Sequence, residues 1–254
     1  MFRFGFLPAA FAALSLSPLP ALAQSSLGLS FAEAAIEAGS ASTSRGAARL
    51  TGAWAITPSH GVQLGLSLTD YPSGYVGQVS GQVYMSPAPE WKYGFSASLA
   101  DASNREATIA TAGVAAIWAP TERTAIQGTA LLGYARPRDI DFVTFGLSAE
   151  TAISARSAVF ADLTVTAVDE AVLSATATTG RIGLRHAFGD FGPEASLALA
   201  SDRLTGRDAA PRDTRVEFAL TWRFGGDRAG RVSARDRAFA EVKPFDPFLR
   251  RGLF

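Results

Sequence analysis

Cysteine is absent from the 254 residues, which removes disulfide frameworks, thiolate metal sites and cysteine nucleophiles together. Histidine is nearly absent, with only His60 and His186, so neither an imidazole metal set nor a conventional general base has much to draw on. Beyond the first residues, no run approaches the roughly 18 apolar residues of a membrane-spanning helix. An excess of charge is missing too: 23 basic residues balance 23 acidic ones, which gives no reason to expect a nucleic-acid partner. No phosphate-binding glycine loop, zinc-spaced ligand set or calcium loop occurs, and the sequence implies no cofactor.

The amino terminus reads as an export signal. Arg3 supplies the positive region, Phe4 to Leu16 an apolar stretch, and Ala21-Leu22-Ala23 a small-x-small cleavage site. Residues 1–23 are thus expected to be removed, leaving a mature chain from Gln24. Export without cysteine fits the periplasm or outer membrane better than a small secreted domain, which would need bridges.

From Ser26 to Phe224 the apolar residues recur with a period of two, and turn residues interrupt them too often for long helices. Strands are expected near 28–39, 47–57, 61–70, 75–85, 91–101, 106–118, 124–135, 140–153, 157–167, 173–187, 192–201 and 214–224. Twelve strands of this length suit a tilted bilayer crossing, which takes roughly 9–11 residues. Alternate connections resemble one another, as in Thr57-Pro58-Ser59-His60, Ser86-Pro87-Ala88-Pro89-Glu90 and Ala119-Pro120-Thr121-Glu122-Arg123. One hairpin per interval puts these turns on one side, the periplasmic one, and leaves a single long connection, Asp202 to Asp213, on the other. The first strand is the least regular, because Leu29 and Phe31 share a parity with Glu33 and Glu37. It needs a bulge or a late start, and an amphipathic helix over 31–38 competes with it.

Alternation also suits a soluble β-sandwich, so the aromatics have to decide. Trp54, Trp91, Trp118 and Trp222 all fall within a few residues of a periplasmic strand end. Indole prefers the membrane–water interface, and four at one level make the girdle of a transmembrane barrel. Tyr71, Tyr75, Tyr134 and Phe142 are candidates for a thinner outer girdle.

In the last strand, Val216, Phe218, Leu220, Trp222 and Phe224 point one way and Arg215, Glu217, Ala219, Thr221 and Arg223 the other. A final strand that alternates in this way and ends on an aromatic resembles the bacterial outer-membrane β-barrel class, in its small porin-like form. The resemblance covers Ser26 to Phe224, within an expected barrel domain of residues 24–224, and implies an all-β, antiparallel, up-and-down transmembrane barrel of about 12 strands. It also implies outer-membrane lipid and the barrel-assembly machinery as partners. One departure stands out, since the chain runs on for thirty residues past Phe224.

Parity assigns Val62, Leu64, Leu66 and Leu68 to lipid and Gln63, Gly65, Ser67 and Thr69 to the lumen. The charged lumen candidates are Lys92, Glu150, Asp162, Arg181, Arg185, Arg215, Glu217 and Arg223, among small neutral residues such as Gln127. Expected ion pairs are Asp162 with Arg181 or Arg185, and Glu33 or Glu37 with Arg215 across the closing seam. His60 falls in a periplasmic turn and His186 on the lipid side, so no catalytic constellation is expected.

Residues 225–254 carry seven basic and four acidic residues, +3, while residues 24–224 carry 15 basic and 19 acidic, −4. Three readings of this tail stay open. It is a flexible periplasmic extension, a plug drawn into the acidic barrel, or a docking peptide in which Phe245, Phe248 and Leu249 anchor a periplasmic protein. For the whole chain a narrow passive channel for small polar solutes is expected, with a closed scaffold barrel acting through its tail as the alternative and an outer-membrane hydrolase as a remoter one.

Overall fold

The computed structural model describes residues 29–40, 46–71, 74–103, 107–189, 192–225 and 234–253. The expected signal segment lies outside them. Twelve strands form: β1 Leu29–Ser40, β2 Gly46–Ala55, β3 His60–Tyr71, β4 Gly74–Ala88, β5 Trp91–Ala102, β6 Ala107–Thr121, β7 Thr124–Arg136, β8 Ile140–Ala152, β9 Ser157–Asp169, β10 Ser174–Ala187, β11 Glu194–Gly206 and β12 Ala210–Gly225. Each pairs antiparallel with its chain neighbours, and β1 closes on β12 through a register running from Phe31 opposite Gly225 to Ser40 opposite Val216. Closure leaves no free sheet edge among the described strands, so their backbone groups find partners inside the wall. One short helix, α1 (Asp246–Arg250), follows the barrel.

The period-two pattern decides which way each side chain points. Leu64, Leu66, Val79, Val83, Phe95, Leu99, Phe145, Leu147, Ile182, Leu184, Leu197 and Leu199 are exposed on the outer surface, while Gln63, Gln82, Lys92, Gln127, Thr144 and Glu150 are buried inside. An apolar outside around a polar inside is the inversion that a hydrocarbon surround requires.

The first strand carries a bulge near its start, and the last two strands run longer than expected. The 31–38 segment is a strand and not a helix, with a register shift between Leu29 and Phe31. The shift falls before Phe31, so Phe31 keeps the inward parity it shares with Glu33, Ala35 and Glu37 and is only 2% exposed. The long connection expected at 202–213 is mostly strand, because β11 runs on to Gly206 and β12 begins at Ala210. Asp202 is therefore a wall residue, fully buried.

Inside the wall, large aromatic rings lie opposite glycines on neighbouring strands. Phe142 pairs with Gly133 and Phe160 with Gly183. A Cβ on Gly133 would meet the Phe142 ring at 1.9 Å, and one on Gly183 would meet the Phe160 ring at 2.5 Å. The missing side chain lets each ring lie flat along the sheet instead of projecting to the axis, which keeps the lumen open for other contents. Gly133→Ala is expected to push Phe142 off the wall and to cost about 1–3 kcal/mol as overpacking, measured by urea titration of folded barrel in detergent.

Candidate functional site: the filled lumen

The barrel has a near end, where β1 begins and β12 ends, and a far end. Residues 234–253 enter at the near end and run through the lumen to the far mouth. Near the entry, the Ala234 amide donates to the Pro89 carbonyl at 3.0 Å in the β4–β5 turn. At the exit, the Arg138 guanidinium donates to the Leu253 carbonyl at 3.2 Å, between β7 and β8. The expectation of a flexible periplasmic tail over 225–254 is therefore corrected for 234–253. The physical reason is charge and burial together, since residues 234–253, with five basic and three acidic side chains, meet a −4 barrel and their aromatic residues leave water.

The first half of this segment is held chiefly by its backbone. Gln63 donates from Nε2 to the Phe239 carbonyl at 3.1 Å and accepts from the Phe239 amide at 3.0 Å. Gln127 repeats the motif one residue on, donating to the Ala240 carbonyl at 3.0 Å and accepting from the Ala240 amide at 2.9 Å. Each glutamine thus offers the donor–acceptor pair that a neighbouring strand would offer. Lys92, fully buried, donates to the carbonyls of Arg235 and Arg237 at 3.3 and 2.8 Å. Its ammonium also lies 4.0 Å from the Tyr84 ring centre and 5.0 Å from that of Phe239, so carbonyl dipoles and ring faces together replace its water.

Side chains add specificity. Arg237 meets Glu150 at 2.9 Å, and the same carboxylate takes Arg185 at 2.6 Å. Phe239 packs among Tyr84, Ala115, Ile117, Ala119 and Ala125. Farther on, Lys243 donates to Thr69 at 3.3 Å.

At the far mouth α1 packs into the wall. Phe245, Phe248 and Leu249 are 2%, 0% and 4% exposed, against an apolar ring contributed by Tyr71, Ile109, Ile140, Phe142, Leu173 and Leu204 among others. Phe142 meets Phe245 edge-on with centroids 4.6 Å apart. The three residues expected to dock on a periplasmic partner are thus spent inside the barrel. Tyr71 and Phe142, expected in an outer girdle, face inward as well. Their own strands already implied it, because Tyr71 shares parity with Gln63 and Phe142 with Glu150.

Polar contacts lock the same helix. Tyr71 donates to Asp246 at 2.6 Å, and Asp246 pairs with Arg250 at 2.7 Å. On the wall, Arg215 pairs with Asp202 and Glu217, both at 2.7 Å. Arg250 approaches Glu217 at 3.7 Å and Arg251 approaches Asp202 at 3.6 Å, so the tail's last cations complete a network begun by β11 and β12.

Of the charged residues assigned to the lumen, Lys92 is fully buried inside the wall, and the other seven line the cavity beside the segment. Asp162 pairs with Arg181 at 3.0 Å. The seam pair is different from the one expected: Glu33 binds Arg223 at 2.7 Å, with Arg49 at 3.4 Å, while Arg215 turns to Asp202. Register explains the exchange, since Glu33 lies directly opposite Arg223 across the β1–β12 seam, whereas Arg215 falls beyond the Ser40–Val216 pair. Sequence reasoning missed Asp202, hidden in an expected loop. It also gave Gln63 and Gln127 no role beyond lining, although amides recurring on the inner face of strands otherwise rich in Gly, Ser and Thr were the available signal.

The segment does not fill the whole section. A cavity of about 280 Å³ runs beside it, lined by residues from Glu33 and Arg223 near one end to Ala38 and Gly39 near the other. Acidic and basic side chains alternate along it, including Glu33, Arg49, Asp162, Arg181, Glu217 and Arg223.

On the outer surface, Trp54, Trp91, Trp118 and Trp222 all lie at the near end with Phe224. Trp91 and Trp118 are directly cross-strand, stacked with centroids 5.7 Å apart and 42% exposed each. His60 accepts from or donates to Thr57 and Ser59 within its turn at 2.9 and 3.0 Å. His186 meets Ser157 at 2.9 Å on the outward face at the same end, beside Phe188.

No protein-family model matches the chain, and no curated protein matches it. Solved structures do. An outer-membrane channel from Pseudomonas putida F1 superposes with a TM-score of 0.60 at 11% identity, over 79% of this chain and 97% of that one. The NanC porin matches with a TM-score of 0.58 at 12% identity, over 75% and 98% of the two chains. The KdgM porin, solved in complex with disordered oligogalacturonate, gives 0.53 at 8% identity over the same shares. The chain has the outer-membrane β-barrel fold. At these identities the likeness shows the fold alone.

Proposed function

We propose that the protein is a narrow passive channel of the outer membrane for small polar solutes, in which residues 234–253 restrict the lumen. The observation that carries this reading is the charged cavity lined by residues of β1–β4 and β7–β12, which remains beside the segment. Its lining of both signs suits hydrated polar or zwitterionic solutes better than apolar ones. The near end, with its short turns and tryptophans, belongs to the periplasm in this reading, and insertion falls to the barrel-assembly machinery. The shared fold with outer-membrane channels supports the same location.

A closed scaffold barrel is the second reading, favoured by the packing of Phe245, Phe248 and Leu249 across the far mouth. Efflux from proteoliposomes separates the two. The refolded protein is expected to release glycine and glycerol faster than protein-free vesicles do, and to retain oligosaccharides. Retention of all solutes would overturn the channel reading, and equal release of large and small ones would overturn its narrowness.

A further inference from the structure

The contacts of residues 235–243 have the form of a ligand in a site. Two side-chain amides each read both backbone groups of one residue, Lys92 reads two more carbonyls, and separate pockets take Arg237 and Phe239. A segment serving only as filler needs no such paired backbone recognition, and wall glutamines facing water alone would not align on consecutive residues. We propose that the inner wall centred on Gln63, Lys92, Gln127 and Glu150 is a binding site for an extended peptide with arginine followed two residues later by an aromatic. The chain's own Arg237-Ala-Phe239 fills it in this structure. Backbone bonds supply tolerance toward the rest of the sequence, whereas the Glu150 carboxylate and the Tyr84 pocket select the two anchors. The site accordingly accepts a second peptide of this chemistry in trans when the resident segment is weakened. This inference does not depend on conduction, and its test reads binding alone.

Gly146 supplies the probe, because a Cβ there would stand 3.1 Å from a Val242 methyl carbon, close enough for a disulfide between Gly146→Cys and Val242→Cys. The chain holds no other thiol. The full chain carrying both substitutions is expected to cross-link within itself, and about tenfold more slowly once Arg237→Ala and Phe239→Ala are added. In the second arm the full chain carries Gly146→Cys, Arg237→Ala and Phe239→Ala. A synthetic peptide of residues 234–253 with Val242→Cys is then added. That peptide is expected to cross-link about tenfold faster than one with the same cysteine and its neighbours but scrambled anchors, and cysteine-free native peptide is expected to suppress the reaction. Heat-modifiable migration on a gel selects folded protein in every arm. An internal rate insensitive to the two anchors, equal rates for native and scrambled peptide, or no cross-link in trans would each overturn the proposal.

Discussion

Arg215→Met is expected to lower the stability of the barrel by about 3–5 kcal/mol. Arg215 and Asp202 are almost wholly buried and pair at 2.7 Å. Two charges removed from water are tolerable together, whereas deleting the cation strands a carboxylate whose remaining cation, Arg251, stands 3.6 Å away. The same substitution takes one partner from Glu217 and releases the contact toward Asp246 at 3.9 Å, so the hold on α1 weakens as well. Urea titration followed by tryptophan fluorescence in detergent measures the loss. A loss below about 1 kcal/mol, the range of an exposed pair, would mean that water reaches this network.

Phe145→Arg is expected to cost about 2–4 kcal/mol in a lipid bilayer. Phe145 stands midway along β8 and is 60% exposed on the outer surface. In hydrocarbon that position has no water for a guanidinium, and at mid-strand the side chain is far from either interface. Phe145→Leu keeps an apolar group in lipid and is expected to leave folding in vesicles nearly unchanged. Comparison of the two variants in vesicles isolates the charge. Equal stabilities would place this face in water, as in a soluble barrel.

The wall was legible in the sequence because a strand repeats its environment every second residue. Val62 to Leu68 and Val216 to Phe224 declare both faces, and turns rich in proline or acidic residues mark the hairpins. Bounds slipped where that signal fails. Asp202 looks like a loop residue until the lumen provides Arg215 and Arg251 as its partners, so β11 and β12 run longer than their composition suggests. The filled lumen was far less legible. Charge imbalance between residues 24–224 and 225–254 pointed to attraction, but composition carries no information on where a segment lies. The apolar cluster Phe245, Phe248 and Leu249 suits a protein partner as well as a barrel mouth. What decides is three-dimensional: the inner ring of Tyr71, Phe142 and Leu204 that receives the cluster comes from strands spread across the whole chain. The pairing of Glu33 with Arg223 was likewise open until the register across the seam was fixed.

Glycines opposite Phe142 and Phe160 keep rings against the wall, which leaves an axis wide enough for an extended segment. Gln63, Gln127 and Lys92 satisfy that segment's backbone where water is scarce, as buried polar groups require. The acidic wall residues Glu150, Asp202 and Glu217 then meet its arginines.

Single-channel conductance in planar bilayers tests the central claim most directly, on the full chain and on a chain ending at Gly225, each first shown to be folded by its migration on a gel. A small conductance from the full chain that rises several-fold on removal of the segment is the result this account requires. Equal conductance from the two forms would contradict a lumen restricted by residues 234–253, and silence from both would contradict a channel of any kind.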